Sequence, residues 1–394
     1  MERITNYGLP YMGSKNAIAE WVVRHMPKAT NLYDLFAGGC AITHRAMLVH
    51  RFQNIYANDI VDTPILFADA IKGNFKDEKR WISRDDFNEL KESDIYVRVC
   101  WSFGNNQSGY LYSKDIEPWR RALHYARVFG DFSLLQEMGI DTDGSREDIC
   151  NNQAKYKEQY IRWYLKSVVL SDEEYKQVEH IFTEDIQRTD EELRDYLLEA
   201  LRKSGLTQSE VQRRLGTQMS GHYFGRSQWA FPTREYYNMM REFMPLPLQY
   251  DEIYGLQQLR KDIDSLERLV NLERLERLQT LANIGKANSL TVTQGDYQDV
   301  EIKPDSVIYC DIPYRGTAEY LHSFDYDRFY QWCRTQTTPV LISEYSMPDD
   351  FVLVAECKHR ATLSSTSNTE VIERLFTPAH QAHLFKKEEQ LTLF

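Results

Sequence analysis

Apolar and polar positions follow one rhythm at the two ends of this chain and another in its middle. From Lys15 to Met26 the spacing is helical, with Ala17, Ile18, Trp21 and Val22 on one side. Asn31 to Phe36 reads as a short buried strand, followed by Ala37-Gly38-Gly39. A second apolar-periodic helix covers roughly 41–51, and a second strand, Asn54 to Ala57, ends at Asn58-Asp59. Strand, glycine turn, helix, strand and acid, in that order, form the first half of a nucleotide-binding α/β sheet. The same rhythm returns near residue 289. Leu290 to Thr293 is a strand candidate before Gly295-Asp296-Tyr297, and Ser306 to Cys310 is another that runs straight into Asp311-Ile312-Pro313-Tyr314. A helix over Tyr326–Arg334 and a strand over Val340–Tyr345 follow, and β-like segments near 352–357 and 370–376 would close the sheet.

The text between these ends reads as helical. The pattern therefore predicts a discontinuous α/β domain, 1–60 and 289–394, interrupted by a helical extension over 61–140 and a polar helical insert over 141–288. The extension is broken by Gly104–Gly109, a polar turn-forming segment between aromatics. Within the insert, Thr207 and Glu210 have the spacing of a capping box, Val211 and Leu215 follow, and Gly216 separates them from Met219–Phe224. Short helix, glycine turn and short helix over 206–226 outline a helix-turn-helix carrying Arg213, Arg214, His222 and Arg226; a helical hairpin packed on its neighbours is the alternative. Farther on, Leu266, Leu269, Leu272, Leu275 and Leu278 recur every third residue, which matches neither a coiled coil nor a straight amphipathic helix. The segment reads as one or two helices covering an apolar surface, with a dimer contact as another use.

Charge complicates this picture. The 394 residues carry a formal net charge of −12, which weighs against a nucleic-acid partner. Affinity for a polyanion depends on local surface, however, and residues 202–241 hold seven Lys or Arg against Glu210 and Glu235, a local net of +5. An ordinary solvated face would look the same on charge alone. The six cysteines are scattered, with no Cys-x-x-Cys pair, and the histidines form no ligand cluster in sequence; neither a disulfide framework nor a structural metal is expected. With no apolar run of membrane-spanning length and no apolar N-terminal segment, the reading is a cytoplasmic protein.

Chemistry concentrates at the strand ends. In open α/β sheets ligands sit outside the carboxyl ends of the strands, so the 34–39 turn, Asn58-Asp59 and 311–314 are expected to meet. Gly38 and Gly39 would let backbone approach a ligand, and an acid closing the second strand suits ribose hydroxyls. No G-x-G-x-x-G and no phosphate-binding P-loop is present, so an adenosine ligand without phosphates fits best, of which S-adenosylmethionine is the common one. An unspecialised tight turn is the alternative for Gly38-Gly39. Asp311-Ile312-Pro313-Tyr314 places a carboxylate, backbone carbonyls and an aromatic face at one strand end. A carboxylate and a carbonyl accepting the two N–H bonds of an adenine amine would draw that nitrogen toward sp3, and Tyr314 could stack on an everted base. A turn with a solvated Asp and a core Tyr is the alternative.

These motifs, taken in order, resemble the D12-class (Dam-like) DNA adenine-N6 methyltransferases of bacteria and their phages. Pro10-Tyr11-Met12-Gly13-Ser14-Lys15 resembles the N-terminal cofactor motif, Asp34-Leu35-Phe36-Ala37-Gly38-Gly39 the glycine-rich motif, and Asp311-Ile312-Pro313-Tyr314 the catalytic D-P-P-Y, followed by Gly316-Thr317, Tyr320 and Phe324. Trp101–Gly109 resembles a polar loop near the target base, and Ser343-Glu344-Tyr345 a later motif. The resemblance implies a Rossmann-like class I S-adenosylmethionine-dependent methyltransferase with a large helical target-recognition insert, acting on double-stranded DNA. It implies cofactor contacts from Tyr11, Lys15, Asp34, Phe36, Gly38, Asp59, Asp296 and Asp311, catalysis by Asp311, Ile312, Pro313 and Tyr314, and DNA contacts from Asn105, Asn106, Arg213, Arg214, His222 and Arg226. It implies a monomer or homodimer, with an associated restriction endonuclease as an optional partner. Two departures stand out: Ile312 replaces the first Pro of D-P-P-Y, and Ser14 replaces a Gly beside Lys15. Methylation of N4 of cytosine or of RNA is the nearest rival activity, and a catalytically silent DNA-binding protein of the same fold is the other.

Overall fold

One sheet organises the two ends of the chain in the computed structural model, which describes residues 7–103, 106–145, 147–148, 153–179, 188–217, 219–226, 229–250, 252–253, 270–284, 289–314, 324–361 and 369–385. Its strands are β1 (Asn31–Asp34), β2 (Asn54–Asp59), β3 (Ser289–Gln294), β4 (Ser306–Asp311), β5 (Val340–Ser343), β6 (Phe351–Ala361) and β7 (Thr369–Pro378). They lie in the order β3-β2-β1-β4-β5-β7-β6. The first five are mutually parallel, and β7 runs antiparallel to both β5 and β6. The strand pattern read from the sequence is present throughout, and the fold is an α/β Rossmann-like core with a large helical insertion.

Central strands in such a sheet are covered on both faces, so they read as continuous apolar runs instead of alternating ones. Every residue of β1 and β5 is buried, as are the first five of β4. On one face Tyr33, Ile308, Cys310, Val340 and Ile342 pack with Phe329 and Tyr330 of a covering helix. Among the described residues the edge strand β3 has no neighbour beyond it, which suits its exposed, Thr-containing sequence.

The helices, in chain order, are α1 (Ala19–His25), α2 (Ala41–Leu48), α3 (Thr63–Lys72), α4 (Arg84–Leu90), α5 (Ile95–Cys100), α6 (Glu117–His124), α7 (Ser133–Glu137), α8 (Gln153–Tyr164), α9 (Asp172–Val178), α10 (Asp190–Ser204), α11 (Gln208–Leu215), α12 (Ser220–Phe224), α13 (Arg234–Arg241), α14 (Val270–Leu281) and α15 (Tyr326–Thr335). The segment expected as one helix from Lys15 begins instead as a 3-10 turn over Lys15–Ile18 before α1. Ala17 is exposed there, while Ile18, Ala19, Val22 and Val23 face the core.

The chain divides into two compact units, Met1–Tyr112 with Val270–Phe394, and Ser113–Leu269. The sheet unit thus takes in residues 61–112 and α14, more than the 1–60 and 289–394 read from the sequence. Its extra helices are tied in by specific contacts. Tyr110 donates to the Ile82 carbonyl at 2.7 Å, and Tyr112 donates to Asn271 of α14 at 2.6 Å.

The helical unit has its own core, with Leu193 and Leu197 of α10, Val211 and Leu215 of α11, Tyr223 and Phe224 of α12, and Tyr237 and Met240 of α13. The capping box expected at Thr207 is formed: Glu210 donates its N–H to Thr207 Oγ1 at 3.3 Å, and Thr207 donates its own N–H to the Glu210 carboxylate at 2.7 Å. α11, the Gly216 turn and α12 therefore follow the short-helix, turn, short-helix outline.

The leucine triplets find their reason in α14. Leu266 and Leu269 lie outside the described residues, but Leu272, Leu275 and Leu278 are buried within the sheet unit. The residue before each leucine is polar and is used. Asn271 accepts from Tyr112, Arg274 donates to the Cys100 and Ser102 carbonyls at 2.9 and 2.8 Å, and Arg277 donates to the Tyr7 carbonyl. Two stripes, one apolar and one polar, wind together around the helix and consume faces that a simple amphipathic helix leaves to solvent. Burial of Leu272, Leu275 and Leu278 in the chain itself leaves these three unavailable for a dimer contact. Among the described residues, no helix is long and apolar enough to cross a membrane.

Candidate active site

A cavity of ≈ 590 Å³ opens at the carboxyl ends of β1, β2, β3 and β4. Its position follows from topology: the chain builds outward from β1 through β2 to β3 on one side and from β4 to β5 on the other, leaving a crevice where the direction reverses. Tyr11, Lys15, Asp34, Phe36, Gly38, Asp59, Asp296 and Asp311 all line it, together with Ile312 and Pro313. Residues separated by some three hundred positions thus share one wall.

Each carboxylate has a distinct setting. Asp34, at the end of β1, accepts from Thr43 Oγ1 at 2.7 Å, and burial pushes its pKa up to about 7. Asp59 accepts from the Gly38 and Val61 backbone N–H groups at 2.7 and 3.1 Å; burial raises its pKa while these donors oppose the rise. The acid expected to meet ribose hydroxyls therefore also braces the glycine turn. Asn58, beside it, ties three strand ends by donating to the Leu35 and Gly295 carbonyls and accepting from Thr293 Oγ1. Asp311 sits 2.8 Å from Lys15 Nζ; burial pushes its pKa up to about 6, and the lysine charge holds it from rising farther. Lys15 Nζ also lies 4.4 Å from the centre of the Tyr314 ring.

The glycine turn is tight for a visible reason. Gly38 has φ +46°, and a Cβ there would come within 2.8 Å of the Tyr11 ring. On the opposite side, Phe36 packs against Tyr297, Phe324 and Phe329 with centroid distances of 5.2–5.7 Å.

Ile312 departs from the sequence motif, and its surroundings explain how. Its side chain is buried in the cluster beneath the sheet with Leu35, Cys310 and Phe329, so an aliphatic residue is anchored where a proline would stiffen the turn. The Pro313 carbonyl accepts from Tyr326 at 2.9 Å. Tyr314 is buried and is not among the cavity-lining residues. Its hydroxyl donates to the buried Glu373 carboxylate of β7 at 2.7 Å, and its ring meets Tyr345 edge-on at 4.5 Å.

Sequence reading missed Arg328. This α15 residue lines the cavity, pairs with Asp296 at 2.7 Å and donates to Gln298 at 2.8 Å. In sequence it is one of several charges on an amphipathic helix, and nothing marks it apart. Glu373 was missed likewise, as an acid in a β-like run.

The expected DNA contacts are less concentrated. Asn105 lies outside the described residues, as do Gly316, Thr317 and Tyr320. Asn106 caps its own turn, accepting from the Ser108 and Gly109 N–H groups at 3.0 and 3.2 Å. In the helical unit Arg213, Arg214 and Arg226 are exposed and His222 is half-buried. Arg214 also lies over the Phe243 ring at 5.1 Å, and other members of the basic run are engaged too: Lys203 pairs with Glu199 at 2.8 Å, Arg234 covers the Tyr250 ring, and Arg241 donates to the Leu246 carbonyl.

Residues 11–212 match the D12 class N6 adenine-specific DNA methyltransferase family. The chain belongs to that family. It is a site-specific DNA methyltransferase that modifies N6 of adenine, and the family's activity implies S-adenosylmethionine as methyl donor. The matched span takes in Tyr11, Lys15, the glycine turn and Asp59, and it ends before Asp296 and Asp311. No curated protein matches the chain. For this D12 methyltransferase, then, the second half of the cavity is assembled by the fold from residues beyond the family match.

Proposed function

We propose that the strand-end cavity holds S-adenosylmethionine and that Asp311-Ile312-Pro313-Tyr314 receives the target adenine. The observation that carries this reading is the charge of the cavity wall. Asp34, Asp59, Asp296, Asp311 and Asp325 face it, against Lys15 and Arg328. A wall with this excess of acidic over basic side chains suits a ligand bearing ammonium and sulfonium charge and is hostile to a pyrophosphate. The volume is in the range of a small-molecule site, and the Phe36 and Tyr297 rings offer an apolar wall for a purine.

In this reading Lys15 is placed to meet the cofactor carboxylate, Asp59 to accept from ribose hydroxyls, and Asp296 to accept from the cofactor's adenine amine, with Arg328 setting the Asp296 carboxylate in place. The bound cofactor supplies a methyl group already activated on a sulfonium, so no base is needed to generate the electrophile. Asp311 and the Ile312 carbonyl would accept the two N–H bonds of the adenine amine and stabilise the charge that develops on nitrogen. Burial of the Ile312 side chain fixes the direction of that carbonyl. Tyr314, held by Glu373, would fix the plane of the everted base.

Methyl transfer to unmethylated duplex DNA from labelled S-adenosylmethionine, followed by digestion to nucleosides, tests the reading. N6-methyladenine is the expected product; N4-methylcytosine, or label only in RNA, would overturn it.

Duplex recognition is assigned to the helical unit through the exposed Arg213 and Arg214 of α11 and Arg226 beyond α12. Arg213→Ala with Arg214→Ala is expected to weaken DNA binding and to flatten its salt dependence by about one to two in log–log slope. Binding isotherms across a salt series read this directly, and an unchanged slope removes α11 from the interface.

A further inference from the structure

Residues 7–15 form a strap laid along the glycine turn, and the far end of that strap, Tyr11 to Lys15, is a wall of the cavity. The near end is fastened with unusual closeness. Leu9 donates its N–H to the Gly39 carbonyl at 2.6 Å. Gly8 adopts φ +67°, and a Cβ there would lie 2.2 Å from Gly39 O and 2.6 Å from Ala41 N. Two groups outside the cavity complete the attachment. The Gly8 N–H donates to His44 Nδ1 of α2 at 2.9 Å, and Arg277 of α14 donates to the Tyr7 carbonyl. The His44 ring also meets Tyr7 edge-on at 5.7 Å.

We propose that His44 and Arg277 are positioning residues for cofactor capture: by holding Tyr7-Gly8 from two different helices, they set Tyr11, Ser14 and Lys15 against the glycine turn. The proposal rests on the reading of the cavity as the S-adenosylmethionine site.

The chemistry of His44 fits this task and little else. A backbone N–H can only donate, so Nδ1 must be the acceptor and the proton must sit on Nε2. Among the described residues that buried Nε2 has no hydrogen-bond partner, a cost that a merely space-filling residue would not carry. Burial and the nearby Arg277 charge push the His44 pKa down to about 4, which keeps the ring neutral and the acceptor available at physiological pH. Arg277 is itself largely enclosed, and its guanidinium answers a carbonyl instead of a carboxylate. Neither residue lines the cavity, so neither acts by touching a ligand.

Length of side chain separates this role from simple packing. Asparagine carries its amide oxygen near the position of Nδ1 and can accept from Gly8, whereas glutamine places its amide nearer Nε2 and cannot. His44→Gln is expected to weaken equilibrium binding of S-adenosylmethionine to the full chain about ten-fold, the scale of one lost buried hydrogen bond. His44→Asn should restore most of it. Steady-state assays should show the His44→Gln loss in KM for the cofactor, with kcat at saturating cofactor close to the parent value. Arg277→Met and Arg277→Lys form a second pair, the lysine keeping a donor for the Tyr7 carbonyl. Equal cofactor affinity in the parent and in His44→Gln, or an Asn variant as weak as the Gln variant, overturns the proposal. Absence of cofactor binding by the parent protein would instead overturn the reading of the cavity, and this inference with it.

Discussion

Asp311→Asn is expected to lower kcat for methyl transfer by about 10²–10³-fold, the usual cost of removing one preorganised electrostatic group from a transition state. The substitution is isosteric, so packing at the end of β4 should survive. What it removes is the full negative charge that faces Lys15 at 2.8 Å and that would face a nitrogen gaining positive charge. The effect should fall on kcat, because the interaction strengthens as charge develops, while Asp34, Asp59 and Asp296 still line the cavity proposed to hold the cofactor. Single-turnover transfer of labelled methyl, measured beside equilibrium cofactor binding, separates the two. A variant with near-parental single-turnover rate would dismiss Asp311 as the group that shapes the amine.

Lys15→Gln should move the pH profile as well as the rate. In the parent protein Asp311 titrates at about 6 in the absence of ligands, raised by burial and restrained by the lysine. Only the carboxylate form can stabilise a developing cation, so kcat/KM, which reports the free enzyme, should fall as pH drops through about 6. Without the lysine charge the restraint is gone and the Asp311 pKa rises. The acid limb must therefore shift to higher pH, leaving the variant most impaired relative to the parent on the acid side and progressively recovered in more alkaline buffer. For a rise of about one unit the ionised fraction at pH 7 falls from about nine-tenths to about one-half, a loss of about two-fold in kcat/KM that deepens toward about ten-fold below pH ~6. A uniformly depressed profile with an unmoved acid limb would show that Lys15 contributes only binding.

The strand ends were legible in the sequence because parallel strands buried on both faces leave a plain signature. Leu32-Tyr33, Val307–Cys310 and Val340–Ile342 are buried apolar runs followed directly by Asp34, Asp311 and Ser343. The glycine turn was legible because Gly38 sits where Tyr11 leaves no room for a Cβ. Arg328 and Glu373 were not legible. An arginine on an amphipathic helix and an acid in a long antiparallel strand each have many ordinary uses, and only the approach of Asp296 and Tyr314 gives them a role. His44 and Arg277 lay deeper still, since their partners are backbone atoms of Tyr7 and Gly8, and backbone leaves no mark in sequence.

By itself, the order of motifs determined the α/β class and the carboxyl-end location of the cavity. Local spacing suffices for these, because strand burial and turn geometry are properties of short segments. Tertiary structure decided what depends on distant chain segments meeting. It brought Lys15 to Asp311, set Tyr314 against Glu373, and turned the leucine triplets of α14 into a buried helix clasping the loops at Tyr7 and Ser102. The physical reason is that charge pairing, burial and pKa depend on separation in space, and a sheet whose central strands come from both ends of the chain makes that separation independent of position along it.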